Sequence, residues 1–184
     1  MSIRQNDLYS KCILAKKLKI PFNTIGPNII KKIEATLIKK YEGKCILEGY
    51  IKTNSCKILS YSCGMIDEGN KVIMNILFEC LVCLPCEGML VDCIVKNITK
   101  AGIKAEINDE ISPLIIFLAR DHHHNNPMFS KVNEKDSINI KVVGKRFELN
   151  DNYISVLGEF INISKKQIEI GEKNIDPIVD RDLE

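Results

Sequence analysis

Cys80, Cys83 and Cys86 follow one another at intervals of three residues, with Cys93 beyond them, a spacing at which thiolates can hold zinc or an iron–sulfur cluster. The run falls in a β-prone stretch, residues 72–84, where side chains three apart point to opposite faces. Buried thiols acting as small hydrophobes are therefore the preferred reading, and a metal centre is the alternative. His122, His123 and His124, beside Asp121 and Asn125, invite a metal or catalytic reading. No cysteine motif adjoins them, so a solvated loop is expected, with phosphate contact next. Nucleophile elbows, phosphate-cradling glycine loops, zinc-protease helices and paired-carboxylate motifs are all missing. The expectation is a protein without catalytic residues, bound metal or cofactor.

A different chemistry is offered by Lys96, Lys100, Lys104, Lys141, Lys145 and Arg146, which could line one face and meet the phosphates of a nucleic acid. Asp92, Glu106 and Glu148 lie among them, so a merely solvated surface is the alternative. The formal charge of +2 does not by itself mark a nucleic-acid binder, but it is unevenly spread. Up to Leu84 there are 13 Lys/Arg against 7 Asp/Glu; beyond it, 13 against 17. The richness in isoleucine, lysine and asparagine fits an AT-rich genome, that of a large DNA virus or a protist.

These residues need elements to position them. The chain is 184 residues long and 45% apolar, enough for one medium core or two small ones. No apolar run is long enough to span a membrane, and the first residues lack the apolar centre of a secretory signal, so an intracellular protein with reduced thiols is expected. Residues 8–20 carry a period-two pattern that ends at Pro21. The strongest signal follows Gly26-Pro27-Asn28: Ile29, Ile30, Ile33, Leu37 and Tyr41 form one helical stripe, with Pro27 suited to the first helical position and Gly43 to a left-handed stop. Lys31, Lys32, Lys39 and Lys40 fall on its solvated side. Strands are predicted over 45–51, 57–61 and 72–84, with a turn bracketed by Gly64 and Gly69. Five more, over 89–96, 103–107, 114–118, 138–143 and 153–157, suit a small Greek-key barrel of the OB type, the run 114–118 reading as fully buried.

Several segments resemble the stalk subunit of multisubunit DNA-directed RNA polymerases, the seventh-largest subunit of the eukaryotic enzyme and its archaeal counterpart. The run Gly26-Pro27-Asn28-Ile29-Ile30 and then Glu42-Gly43-Lys44-Cys45 is similar to that family's helix and following strand. Gly64-Met65-Ile66 with Gly69 is similar to its tip loop. Pro85, Gly88 and Val91-Asp92-Cys93-Ile94-Val95 resemble its domain junction and first barrel strand. Gly102 matches its first barrel hairpin, and residues 140–146 with Asn150-Asp151 resemble its penultimate strand and turn. The matches are collinear from about residue 8 to residue 160.

The resemblance implies an α+β protein, with a helix-plus-antiparallel-sheet tip domain over residues 1–85 and an OB-type barrel over 86–162, followed by a polar C-terminal tail over 163–184. It implies a noncatalytic polymerase subunit whose partners are the core subunits, a smaller helical stalk subunit and nascent RNA, with no membrane. It would reside in nucleus or cytoplasm, or in a virion. Docking would run through Cys63, Gly64, Met65 and Ile66, with Gly64 expected at positive φ. Few aromatic side chains are evident on the barrel, so RNA contact is expected to rest on charge rather than base stacking. The alternative function is a free-standing OB-type RNA-binding protein of translation or decay.

Overall fold

The computed structural model of the protein describes residues 8–67, 69–109 and 111–164. The expected tail from residue 165 onward lies outside the described residues. Among the described residues, eleven strands and one α-helix make an antiparallel sheet followed by a closed barrel.

The sheet is organised by one strand. β1 (Tyr9–Pro21) runs antiparallel to β6 (Lys71–Cys83) over its whole length. On the other side of β6 lie, end to end, β5 (Met65–Asp67), β4 (Lys57–Tyr61) and β3 (Gly49–Ile51), with β2 (Cys45–Ile46) beyond β3. The six even-numbered side chains from Val72 to Val82 are all buried, and the odd ones turn toward solvent until Cys83. That alternation is the pleat of a sheet covered on one face. The cover is α1 (Ile29–Tyr41), whose Ile33 and Leu37 are buried in one cluster with Leu18, Ile20, Ile76 and Phe78. Burying each of those two helix side chains is worth about 1.5–3 kcal/mol.

Two sequence expectations shift here. The helix begins at Ile29 with Asn28 as its cap, so Pro27 sits in the preceding turn and not at the first helical position. The stretch 45–51 is not one strand but a hairpin, β2 and β3, turned at Leu47-Glu48. The end of the helix is as expected: Gly43 takes φ +69°.

The barrel contains β7 (Leu90–Ile98), β8 (Gly102–Glu106), β9 (Leu114–Ala119), β10 (Ser137–Arg146) and β11 (Ile154–Ile163). Its closed order is β7-β8-β9-β11-β10, with β9 and β11 parallel, consistent with the OB-type barrel. An extra residue in β7 at Lys96, in β10 at Val143 and in β11 at Ile161 shifts the register and bends these strands as the barrel closes. Helix, sheet and barrel together match the expected mixture of helix and antiparallel strands, with more strands before the barrel than the sequence suggested.

The barrel core does not stop at the expected boundary of residues 85 and 86. Leu8, Cys45, Tyr50 and Cys83 are buried in one cluster with the barrel side chains. Main-chain bonds cross as well: Cys45 N–H donates to Asp151 O at 2.7 Å, and Asn150 N–H donates to Cys45 O at 2.9 Å. Beside them the Tyr9 hydroxyl donates to Asp109 Oδ2 at 3.3 Å while the Lys52 ammonium lies 4.5 Å from the centre of the Tyr9 ring.

Gly102 shows how tightly the first barrel hairpin is drawn. Its φ is +155°, and a β-carbon there would collide with the Leu118 carbonyl oxygen. Gly102→Ala is expected to cost about 1–3 kcal/mol, read as a lower urea midpoint. Gly144→Ala, where a β-carbon meets open space, is expected to stay within about 0.5 kcal/mol. Equal midpoints for the two variants would contradict the packing at Gly102.

Candidate nucleic-acid interface and docking edge

A row of side chains crosses the outside of the barrel. Lys104 on β8 pairs with Phe117 on β9, Phe117 with Leu157 on β11, and Leu157 with Gly144 on β10. Phe117 is 46% exposed, and Leu157 and Val143 are exposed beside it. The Phe117–Leu157 ridge separates two clefts. One, about 340 Å³, is lined by Asn97, Thr99, Gly102 and Lys104. The other, about 320 Å³, is lined by Gly144, Lys145, Arg146 and Ser155.

Phe117 corrects the expectation of a fully buried strand over 114–118. Leu114, Ile116 and Leu118 fill the barrel, while Ile115 and Phe117 face outward. Five consecutive apolar residues hid the alternation. The polar residues that pair with them, Lys104 and Glu106, carry the missing phase. An exposed phenyl ring flanked by cations is a surface on which a base can stack while its phosphates are held.

The six cations expected to bind nucleic acid do not form one group. Lys104, Lys145 and Arg146 border the two clefts, and Lys100 lies exposed in the β7–β8 turn beside them. Lys96 is exposed where the β7 register slips, and Lys141 is exposed opposite Glu159; neither lines a cleft. Several already have partners. Lys104 pairs with Glu106 at 3.2 Å and Arg146 with Glu148 at 3.5 Å. Lys145 Nζ donates to the Pro85 carbonyl at 2.7 Å. Solvent-exposed ion pairs contribute roughly 0–1 kcal/mol, so Lys104 and Arg146 can exchange theirs for phosphate at little cost.

At the other end of the molecule, Met65 and Ile66 lie on β5 and not in a loop. They are 59% and 82% exposed, with Cys63 exposed just before them. Adjacent strand residues point to opposite faces, so Met65 and Ile66 are presented on the two sides of this edge. Leu59 and Tyr61, on neighbouring β4, are also exposed and extend the apolar edge. Gly64 is not at positive φ, against expectation; a β-carbon there would collide with Val72 Cγ1. Glycine is required by close approach to β6, which sequence spacing could not show.

The cysteine run is dispersed. Cys80 is buried under the helix, Cys83 and Cys93 are buried in the barrel cluster, and Cys86 is exposed. Burial pushes the Cys83 and Cys93 thiols, and Cys45 with them, up to about 12. The triple histidine is not a wholly solvated loop. His123 is buried, with its ring stacked 4.6 Å from Phe129. Its Nδ1 lies 2.7 Å from the Ala119 carbonyl, and its Nε2 accepts Phe160 N–H at 2.8 Å. An acceptor on one side and a donor on the other set the tautomer with the proton on Nδ1. His123 thus pins the loop to β11, while His122 and His124 are exposed as expected.

Comparison with known proteins gives the same direction. Over 176 residues, 87% of this chain and 85% of the relative, the sequence is 24% identical to a protein of Acanthamoeba polyphaga mimivirus named as a DNA-directed RNA polymerase subunit. Over 171 residues, 79% of this chain and 96% of the relative, it is 25% identical to DNA-directed RNA polymerase II subunit rpb7 of Dictyostelium discoideum. The chain resembles RNA polymerase subunits. The resemblance drawn from its motifs is borne out along most of its length. No protein-family model matches the chain. Among the described residues no helix is long and apolar enough to cross a membrane.

The burial of the thiols has a direct readout. Cys63 and Cys86 are expected to react first with a maleimide near neutral pH, and Cys45, Cys83 and Cys93 only on unfolding. The folded chain holds these last three protons more tightly than the unfolded chain does. Stability from them is therefore unchanged below the ordinary thiol value of 9.0 and falls as pH rises toward 12. Rapid labelling of Cys83 or Cys93 in the folded protein would contradict this packing.

Proposed function

We propose that this chain is a noncatalytic subunit of a DNA-dependent RNA polymerase. The single observation that carries the reading is similarity to polymerase subunits over most of the chain, spanning both sheet and barrel. In this reading residues 1–85 are the docking unit, with Cys63, Gly64, Met65 and Ile66 at the contact with the core enzyme. Residues 86–162 are the unit that meets nascent RNA. A smaller helical subunit bridges the two. Exposed Leu47, Leu84 and Leu149 support that bridge, since Asn150, next to Leu149, bonds to β2 across the junction.

The RNA surface in this reading is the Phe117–Leu157 ridge with Lys100, Lys104, Lys145 and Arg146 around it; Lys96 and Lys141 are secondary. Charge holds the backbone in any sequence, and Phe117 adds one stacked base. The expected binding is weak, tolerant of sequence and sensitive to salt.

Docking is tested by changing Met65 and Ile66 together to Asp. Copurification with the large polymerase subunits is expected to fall at least about tenfold, which corresponds to 1.4 kcal/mol, while circular dichroism stays unchanged. Normal assembly of that variant would sink the docking assignment.

The RNA surface is tested by ultraviolet crosslinking of the transcript in the assembled complex. Phe117→Ala is expected to weaken contact by about 1–3 kcal/mol, the worth of one stacked base. Changing Lys104, Lys145 and Arg146 to Glu is expected to flatten the salt dependence, which otherwise has a slope near −0.7 per phosphate held. Crosslinking that neither change diminishes would show that RNA does not cross this face.

A further inference from the structure

Three cysteines stand in one row across the sheet. Cys12 on β1 is the register partner of Cys80 on β6. On the other side of β6, Lys57 is opposite Glu79, and the residue before Lys57 is Cys56. The chain still follows β6 there: Lys52 N–H donates to Leu81 O at 2.9 Å, and Leu81 N–H donates to Ser55 Oγ at 3.3 Å. Cys56 therefore falls opposite Cys80, and the two thiols are hydrogen bonded to each other. Both pack in the cluster beneath the helix.

The two neighbours of Cys80 are not equivalent. Phe22 N–H donates to Asn70 O at 2.9 Å, one step past the Pro21–Lys71 pair. Bonded and non-bonded pairs alternate in an antiparallel ladder. Counting back in twos from Phe22, Cys12–Cys80 is a bonded pair, so the main-chain groups of Cys80 face β1. Toward Cys56 the pair is non-bonded, the kind in which Cα atoms stand about 4.5 Å apart and side chains lie closest. Disulfides span Cα separations of roughly 4.4–6.8 Å. The Glu42 carboxylate fixes the turn, accepting Asn54 N–H at 2.8 Å and Cys56 N–H at 2.9 Å.

The bland reading is a pair of small hydrophobes filling space beneath the helix. Access and ionisation go further. Cys80 is buried, but Cys56 is half-buried, so a small oxidant reaches the pair from its side. The hydrogen bond from Cys56 outweighs burial and holds the Cys80 thiol below its ordinary value. Cys45, Cys83 and Cys93 are pushed the other way. A thiolate with a second thiol beside it is the arrangement of redox-sensing cysteines.

We infer that Cys56 and Cys80 are a peroxide-sensitive dithiol whose disulfide clamps β4 and β5 to β6. The thiolate attacks one peroxide oxygen, the O–O bond breaks, and a sulfenic acid and hydroxide form. The neighbouring sulfur then attacks the sulfenic sulfur; S–S forms, S–O breaks, and the hydroxyl leaves with the thiol proton as water. The hydroxide takes up the proton that the thiolate had released. In all, two thiols give up two electrons and one peroxide becomes two waters. The linkage encloses residues 57–79, which include Met65 and Ile66. Its bearing on docking rests on the proposed function; its formation does not.

The test treats the full chain with hydrogen peroxide, blocks the remaining thiols and maps linked peptides by mass spectrometry without reduction. A Cys56–Cys80 linkage that dithiothreitol reverses is expected, with Cys45, Cys83 and Cys93 left as thiols. Amides of β4 and β5 are expected to exchange at least about tenfold more slowly in the oxidised chain, because the closed loop has fewer open conformations. Cys56→Ser is expected to abolish both the linkage and the slowing. Cys12→Ser is expected to leave both unchanged, with circular dichroism confirming that each variant is folded. Linkage of Cys80 to Cys12 in place of Cys56 would overturn the inference. So would oxidation of Cys56 without a linkage, or unchanged exchange in the linked chain. Normal assembly of the Met65 and Ile66 variant bears only on docking, so the two failures are told apart.

Discussion

The register of β6 against its neighbours is the constraint on which the remaining structure depends. Four strands pair directly with it, and its even-numbered side chains supply the floor on which the helix lies. A slip of one residue would turn Val72, Met74, Ile76, Phe78, Cys80 and Val82 out to solvent and bring Lys71, Asn75 and Glu79 inside. The same strand carries Cys83 across into the barrel cluster, where it is fully buried. One strand thus sets the sheet, the helix position and the join to the barrel.

That join bears on function. Tyr50 and Cys45, from the hairpin beyond β6, are buried with barrel residues, and Cys45 exchanges main-chain bonds with the β10–β11 turn. The same turn follows Lys145 and Arg146, which border one cleft beside Phe117. A load applied at the β5 edge therefore reaches the barrel face through packed side chains and hydrogen bonds, not through a slack linker. In a subunit held at one end, such a connection keeps the other end at a fixed distance and orientation. Burial supplies most of this rigidity. The ion pairs on the surface, largely exposed, add little.

Much of the scaffold was legible because its periods are clean. The stripe from Ile29 to Tyr41 can only be one face of a helix, and the alternation around Val91, Cys93 and Val95 matches a half-buried strand. The features that decide the site were less legible, for physical reasons. Phe117 sits among apolar neighbours, so its outward phase is visible only through its partner Lys104. His123 reads as a polar loop residue because the donor and acceptor that bury it, Phe160 N–H and Ala119 O, are brought to it by the fold. Gly64 suggested a turn, yet its reason is the side chain of Val72 on the adjoining strand. The lysines were identifiable by type, but strand register alone separates Lys104 and Lys145, beside the ridge, from Lys96 and Lys141.

Sheet and barrel share one buried cluster through the end of β6 and so behave as one mechanical body. Native-state hydrogen exchange under increasing denaturant tests it most directly, by comparing amides of β6 with those of β7 and β10. The expected result is that the slowest amides in all three strands open with the same free energy and the same denaturant dependence, because the shared cluster cannot be lost from one side alone. Exchange of the β6 amides at a distinctly lower free energy, with the barrel amides still protected, would contradict it.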